Sequence, residues 1–244
     1  MSVSVSSPVR GVPTVTLDLP ERRNAISADL LGALAGTLGR LGEDPGTRAI
    51  LLTHTGTTFC AGADLKDPPD PAAFVALLRQ LVELPKPVVA RVTGHVRAGG
   101  LGLLGACDLA VAGPGSTFAF SEVHIGVAPA VISMPLLPRV DPSAASRYYL
   151  TGERFDGAEA ARIGLVTAYA DDPDSTVQAL LDGVRAAAPG ALAETKKLLT
   201  AKVLDAFDDH SDALIALSAR LFGSAEAREG MAAFFERRER PWAL

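Results

Sequence analysis

The fold is decided by residues 88–122, which read VVARVTGHVRAGGLGLLGACDLAVAGPGSTFAFSE. A β-branched run opens this stretch, a glycine cluster turns the chain, a short apolar helix follows, and a second strand leads to Glu122. Glycines grouped after a strand mark backbone that comes close to a neighbour or a ligand. The N–H groups at the start of the following helix are free to face an oxygen that carries negative charge. The stretch therefore predicts a binding turn between two strands.

The same stretch contains a formal match to the dinucleotide-binding fingerprint. Residues 100–105 read GLGLLG, and Glu122 lies at about the distance at which that fingerprint places its acidic residue. The fingerprint needs its first glycine directly at the strand end and a helix long enough to cross the sheet. Here the strand ends near Val92 and the next one begins by Leu109. We interpret the match as a coincidence of small residues.

Composition limits the possible partners. The chain has 244 residues, of which 48% are hydrophobic, enough for a large core and a subunit interface. A net charge of −5 without basic clusters counts against nucleic acid and anionic membranes. Neither a signal peptide nor a membrane-spanning run is visible in the sequence. We expect a soluble cytoplasmic protein.

The two cysteines, Cys60 and Cys107, lie in apolar, small-residue settings without the spacing of metal ligands. Such cysteines are typically buried, reduced thiols. The sequence therefore predicts neither a disulfide nor a metal site.

Helix starts are well marked. Ser27 is a good N-cap for a leucine-rich helix that Gly42 is expected to close. Asp-Pro pairs that begin at Asp70, Asp141 and Asp172 predict three further helices. Strands are predicted at 12–19, 48–53, 87–92 and 165–169.

Strands alternate with helices up to about residue 172, and only helices follow. This order is typical of an α/β core with an α-helical appendage. We place the boundary near residues 188–190, which gives a core of residues 1–189 and a helical segment of residues 190–244.

Four segments in order carry a resemblance to a known family. They are LPERRNAI at 19–26, FCAGADLK at 59–66, GHVRAGG at 94–100 with CDL at 107–109, and EGMAAF at 229–234 followed by ERR at 236–238. Together they resemble the crotonase superfamily, the enoyl-CoA hydratases and isomerases, over roughly residues 10–240. The resemblance implies a spiral of ββα units and a C-terminal helical segment that forms homotrimers, which often pair into hexamers.

The resemblance also implies the reacting groups. Two backbone N–H groups, of Ala63 and Gly99, would form an oxyanion hole for the thioester oxygen of an acyl-CoA substrate. Two fixed donors stabilise the charge of an enolate-like species, by about 2.7–4 kcal/mol for a single donor. Glu122 matches the acid/base carboxylate, and a carboxyl group in apolar surroundings has its pKa moved toward the working pH.

Further residues are implied in substrate binding, and coenzyme A enters only as part of the substrate, without a separate cofactor. By the family pattern these contacts come from Arg23, Ala25, Ala61, Asp64, Leu65, Lys66, Gly100 and Gly102.

One position departs from the best-known hydratases, which carry a second glutamate where this chain has Gly102. A single base suits a Δ3,Δ2-enoyl-CoA isomerase, because moving one proton needs only one carboxylate. Motifs around residues 101–103 and 121–133 are nevertheless similar to bacterial members named as hydratases, including methylglutaconyl-CoA hydratase-like enzymes. In those the missing carboxylate would leave room for a larger acyl group. We place hydratase ahead of isomerase, with a non-catalytic acyl-CoA-binding protein third.

Three other polar residues, His95, Arg97 and His124, flank the predicted site in sequence. They are interpreted as surface or packing residues, with contact to a substrate carboxylate or to the CoA phosphates as the alternative. If the strand continued through residue 124, alternation would place His124 on the same side as Glu122.

Overall fold

A computed structural model describes residues 2–243, so Met1 and Leu244, the outermost residues of the two predicted domains, lie outside it. The strands are β1 Val3–Val5, β2 Thr14–Leu17, β3 Ile50–His54, β4 Thr58–Cys60, β5 Val88–Val92, β6 His95–Arg97, β7 Leu109–Ala112, β8 Thr117–Ala119, β9 Phe155–Asp156 and β10 Ala168–Tyr169. The α-helices are α1 Ala28–Glu43, α2 Pro71–Glu83, α3 Gly99–Gly105, α4 Ser133–Leu136, α5 Pro142–Thr151, α6 Gly157–Arg162, α7 Pro173–Ala186, α8 Pro189–Phe222 and α9 Ala225–Glu236. Two 3-10 helices cover Pro20–Arg22 and Ser121–Ile125.

The strands form two sheets. The larger has the order β1-β2-β3-β5-β7-β10, with every pair parallel except β1 and β2. The smaller has the order β4-β6-β8-β9, with β4, β6 and β8 parallel. Parallel strands need crossover connections, and these put helices against the sheet faces.

Each repeat places one strand in each sheet and then a helix. The chain runs β3-β4-α2, then β5-β6-α3, then β7-β8 and the second 3-10 helix. Only Thr93 and Gly94 connect β5 to β6. Residue 94 is a glycine because an ideal Cβ there would lie 2.5 Å from the Thr57 carbonyl oxygen. The predicted spiral of ββα units is confirmed.

The predicted helix starts are also confirmed. The side chains of Ser27, Asp70, Asp141 and Asp172 each accept a hydrogen bond from a backbone N–H of the first turn. The predicted end of α1 at Gly42 is wrong by one residue. The helix runs through Glu43, and Gly42 instead gives room to Leu84, whose Cδ1 would lie 2.7 Å from a Cβ at residue 42.

The C-terminal helices are attached to the core by charge and by close packing. The Lys196 ammonium group on α8 is buried and donates to the Asp108 carboxylate at 2.8 Å and to the Leu81 carbonyl at 2.9 Å. The α9 helix packs against the 3-10 helix Ser121–Ile125. Since α8 begins at Pro189 but stays in contact with the core, the division at residue 189 stays a prediction.

No helix between residues 2 and 243 is both long and apolar enough to cross a membrane.

Candidate active site

Three adjacent parallel strands of the smaller sheet end at the same edge. They are β4, β6 and β8, which end at Cys60, Arg97 and Ala119. The three predicted reacting residues, Ala63, Gly99 and Glu122, follow within three residues of those ends. The sheet therefore brings the backbone of all three to one edge.

The first two strand ends touch each other. An ideal Cβ on Gly62 would lie 3.3 Å from the Gly99 nitrogen, so only a glycine there lets the two turns approach this closely. The Ile26 N–H donates to the Gly62 carbonyl at 2.8 Å, and the Ile26 carbonyl accepts from the Asp64 N–H at 2.9 Å. These two bonds hold the segment around Ala63 in place from one side.

The N–H groups of Ala63 and Gly99 are left available by this arrangement. Between residues 2 and 243, neither donates a hydrogen bond to a backbone carbonyl. Buried or half-buried backbone donors are nearly always paired, so two free ones on adjacent turns are unusual. Such a pair is what an anionic oxygen requires.

The turn before Gly99 carries backbone strain. Ala98 has φ 47° and ψ −124°, a conformation that side chains rarely adopt, and the Ala98 N–H donates to the Ala119 carbonyl at 3.1 Å. This bond ties the turn to the end of β8.

Glu122 lies in the 3-10 helix Ser121–Ile125, which we call the Glu122 turn. Its side chain is 7% exposed, and Oε2 is buried without a hydrogen-bond partner. Burial raises the pKa of Glu122 to about 8, against a small opposite effect of its own backbone N–H. A carboxyl group with a pKa near neutrality can both accept and return a proton.

The place of the second glutamate is filled by a hydrophobic side chain. An ideal Cβ on Gly102 would lie 2.5 Å from Ile132 Cγ2 and 2.9 Å from Ile132 Cβ. Beside Gly102 itself the missing carboxylate leaves no added room, because Ile132 takes the space, and a bulkier or polar acyl group stays a prediction. Gly100 is constrained in a similar way, with Cys60 O 2.7 Å from its ideal Cβ. Substrate contact by Gly100 and Gly102 stays a prediction.

The predicted CoA-binding segment around Arg23 and Ala25 is joined to the Ala61 turn. The Ala61 N–H donates to the Arg23 carbonyl at 3.1 Å. Between Arg23 and Ala25, the buried Asn24 side chain accepts from the Leu19 N–H at 2.8 Å and donates to the Thr58 carbonyl at 2.8 Å. Asn24 thus locks this segment to β4.

The other three predicted CoA-binding residues follow the Ala63 turn. The Asp64 carboxylate accepts from the Lys66 N–H at 3.0 Å and lies 3.8 Å from the Arg22 guanidinium. Lys66 is exposed and Leu65 is half-buried. These residues follow the Ala63 turn at the same edge of the smaller sheet, and their role in CoA binding stays a prediction.

The flanking polar residues make local contacts. Arg97 donates to the Thr117 carbonyl at 2.6 Å and to Thr117 Oγ1 at 2.7 Å, and His95 Nδ1 lies 2.9 Å from the same hydroxyl. His124 Nε2 contacts the Thr151 carbonyl at 2.8 Å. The condition for alternation between Glu122 and His124 is not met, because β8 ends at Ala119 and residues 121–125 form a 3-10 helix.

Both cysteines are buried and free, as predicted. Burial raises the pKa of each thiol, Cys60 and Cys107, to about 12.

The sequence did not identify Ile132, which packs against Gly102, or Tyr149, whose ring packs on Phe120. Ile132 and Tyr149 lie in segments that carry none of the four motifs, and both have apolar bodies typical of core positions. One signal for Tyr149 is that it follows another tyrosine on α5. Neighbouring helix residues point in different directions, so only one of the two tyrosines can face the core and the other needs a different role.

Comparison with known proteins gives a consistent result. The family pattern described as "Enoyl-CoA hydratase/isomerase" matches residues 9–243. The enoyl-CoA hydratase EchA19 of Mycobacterium tuberculosis is 32% identical over 92% of this chain and 90% of its own. The cyclohexa-1,5-dienecarbonyl-CoA hydratase of Thauera aromatica is 30% identical over 91% of this chain and 89% of its own. A crystal structure of an enoyl-CoA hydratase from Mycobacterium avium has a TM-score of 0.94 and 47% identity, with 99% of both chains covered.

Proposed function

The chain belongs to the enoyl-CoA hydratase/isomerase family, and from that premise we propose that it adds water across the C2=C3 bond of an enoyl-CoA thioester. The observation that carries the proposal is the free N–H pair of Ala63 and Gly99 on the same sheet edge as the buried carboxyl group of Glu122.

The amides would act on the thioester oxygen. As the oxygen of water bonds to C3, the π electrons of the C2=C3 bond move toward the thioester oxygen, which becomes enolate-like. The N–H groups of Ala63 and Gly99 stabilise that charge without reorganising, because the backbone already fixes them. Coenzyme A arrives as part of the substrate, and the proposed chemistry asks for no further cofactor.

Glu122 would manage both protons. Its ionised carboxylate takes one proton from the attacking water and then returns a proton to C2, so the product is the 3-hydroxyacyl thioester and the carboxylate is regenerated. One residue can do both steps because its pKa, about 8, lies close to the working pH.

The test is loss of the conjugated-thioester absorbance with crotonyl-CoA and branched enoyl-CoAs. Glu122→Gln should lower kcat by about 10²–10⁴-fold, the usual effect of a positioned acid or base. Glu83→Gln, which changes an exposed glutamate paired with Arg79, is the matched control and should retain full rate. No turnover of any enoyl-CoA by the folded wild-type protein would refute the proposal.

The second candidate is Δ3,Δ2-enoyl-CoA isomerase, and Ile132 favours it. The hydrophobic side chain at the place of the second carboxylate leaves Glu122 as the one acid/base group predicted for the site. Conversion of a 3-enoyl-CoA to the 2-enoyl form without a hydroxylated product would select the isomerase. The names of the two relatives described above, both hydratases, favour water addition. Tight CoA-ester binding with Glu122→Gln equal to wild type would instead select the non-catalytic acyl-CoA-binding protein.

We also propose a homotrimer, and a hexamer formed by paired trimers. Leu198 and Leu199 on α8 are 80% and 76% exposed, an arrangement that a subunit contact would relieve. Sedimentation equilibrium distinguishes the monomer, the trimer and the hexamer directly.

A further inference from the structure

Two buried polar atoms on two contacting elements, α5 and the Glu122 turn, have no hydrogen-bond partner between residues 2 and 243. They are Oε2 of Glu122 and the hydroxyl oxygen of Tyr149 on α5. An unpaired buried polar atom is unfavourable by about 1–3 kcal/mol, so native structures rarely keep one without a reason. Two such atoms on contacting elements point to a shared partner, a water molecule, that both can reach.

The two side chains are neighbours through the start of the Glu122 turn. The Tyr149 ring packs on the Phe120 ring, with centroids 4.4 Å apart, and Phe120 immediately precedes the Glu122 turn. The α5 helix contacts that turn directly. The charge of Glu122 is also felt at Tyr149, where it adds to burial in raising the pKa of the phenol.

Ser133 is the other polar group close to the Tyr149 hydroxyl. It lowers the pKa of Tyr149 against the larger effect of burial, and its own hydroxyl hydrogen is used in the bond to the Pro129 carbonyl at 2.6 Å. The Ser133 oxygen can therefore only accept from Tyr149, which leaves the Tyr149 oxygen free to accept a hydrogen bond from a water molecule. Because burial keeps the phenol neutral, Tyr149 can donate or accept a hydrogen bond but does not act as a base.

The opposite side of the site offers no polar group in the place of the second glutamate. Ile132 closes that position above Gly102, so α3 supplies no second hydrogen-bond partner there. A water molecule that is hydrogen-bonded to Glu122 alone would have its second hydrogen unbonded, and it could rotate about the single hydrogen bond.

We propose that the Tyr149 hydroxyl is the second group that holds the reacting water, in the role that a second glutamate has elsewhere in the family. The inference rests on the proposed hydration. One hydrogen of the water goes to Glu122, the other is bonded to the Tyr149 oxygen, and the water oxygen forms its bond to C3. Tyr149 neither gains nor loses a proton in the reaction.

The test separates two reactions at the same site. Hydration of crotonyl-CoA needs the positioned water, whereas exchange of the C2 protons of butyryl-CoA with solvent deuterium needs only Glu122 and the oxyanion hole. Tyr149→Phe should lower kcat for hydration about tenfold or more, the effect of one lost hydrogen bond to a reacting group, with KM nearly unchanged. Deuterium exchange should stay within about twofold of wild type.

Tyr148→Phe is the matched control on the same helix. The Tyr148 hydroxyl donates to the Glu159 carboxylate at 2.7 Å, so its loss should lower the melting temperature and leave both reactions unchanged. The Tyr149 hydroxyl has no protein partner between residues 2 and 243, so Tyr149→Phe should lower the melting temperature by less than Tyr148→Phe does. Hydration by Tyr149→Phe within twofold of wild type would overturn the proposal.

A third measurement tests the role of Tyr149 even if the wild-type protein hydrates no enoyl-CoA. The infrared band of the protonated Glu122 carboxyl group, assigned by its absence in Glu122→Gln, gives the ionisation midpoint directly. A shared water stabilises the carboxylate through Tyr149, so Tyr149→Phe should move that midpoint to higher pH. An unchanged midpoint refutes the role of Tyr149, while absent hydration with a shifted midpoint refutes only the proposed reaction.

Discussion

Ile132 occupies the space that a side chain at residue 102 would need, with its Cγ2 2.5 Å from the ideal Cβ position of Gly102. The chain has therefore not simply lost a carboxylate. A hydrophobic side chain from the segment after the Glu122 turn fills the space beside residue 102, so the two positions depend on each other sterically.

Restoring a glutamate at residue 102 thus depends on Ile132. Gly102→Glu alone should destabilise the fold by about 1–3 kcal/mol or more, because it overpacks a buried site. Adding Ile132→Gly removes the Cβ that would lie 2.9 Å from the new one, and should recover part of the stability and raise the ratio of hydration to isomerisation. Urea unfolding and product analysis measure both effects. Equal stability of the single and double variants would show that Ile132 is not the obstacle.

The buried carboxyl group of Glu122 should make stability fall with rising pH. Its pKa is about 8 in the folded chain and about 4.5 when unfolded, so the folded state binds more protons between these values. Stability should drop by up to about 1.4 kcal/mol per pH unit across that window, a few kcal/mol in total. Glu122→Gln should therefore be stabilising at pH 9 and close to neutral at pH 4. Parallel urea titrations of both proteins at the two pH values test this.

The same ionisation should govern the rate. Because the proposed base is the ionised form, kcat/KM for hydration should rise with pH and level off above about pH 8. The rise reports the free enzyme, so it should be independent of the acyl chain used. A profile that is flat from pH 6 to pH 9 would contradict Glu122 as the base.

The strained turn at Ala98 predicts a stabilising substitution. With φ 47° and ψ −124°, Ala98→Gly should relieve about 1–3 kcal/mol of strain, less the larger entropy of the unfolded glycine chain. Ala213→Gly, in the exposed middle of α8, is the matched control and should lose about 1 kcal/mol. Thermal unfolding should give opposite signs for the two variants, and a loss in both would mean that Ala98 is unstrained.

The contact between α9 and the Glu122 turn predicts a distant loss of activity. An ideal Cβ on Gly230 would lie 2.5 Å from the Ile125 carbonyl carbon, and backbone cannot move aside cheaply. Gly230→Ala should destabilise the fold by about 1–3 kcal/mol and lower hydration by displacing Glu122. Gly183→Ala on α7, with nothing within 4 Å of the new methyl group, should be stabilising by about 0.5–1 kcal/mol and fully active.

Sequence reasoning succeeded where chemistry is local. The caps at Ser27, Asp70 and Asp141 could be predicted because an N-cap needs only a side chain and the next three residues. The glycine cluster after β5 likewise indicated a close approach of backbone, which the structure shows between the turns at Gly99 and Gly62.

It failed where distant segments decide the outcome. The residues that neighbour Gly102 in sequence do not reveal that Ile132 fills the space beside it. Those that neighbour Tyr149 do not reveal that Glu122 lies near enough to affect its pKa. The coil of residues 121–125 was also missed, since a polar–apolar alternation reads as a strand until α9 is packed against it.

The dependence of the Glu122 turn on Gly230 has a consequence for biosynthesis. Ribosomes deliver both sheets before α9, so a nascent chain can acquire its strands and the turns at Ala63 and Gly99 while Glu122 still lacks its outer support. Catalytic activity would then appear only when α9 docks, late in synthesis, and would not increase gradually with chain length.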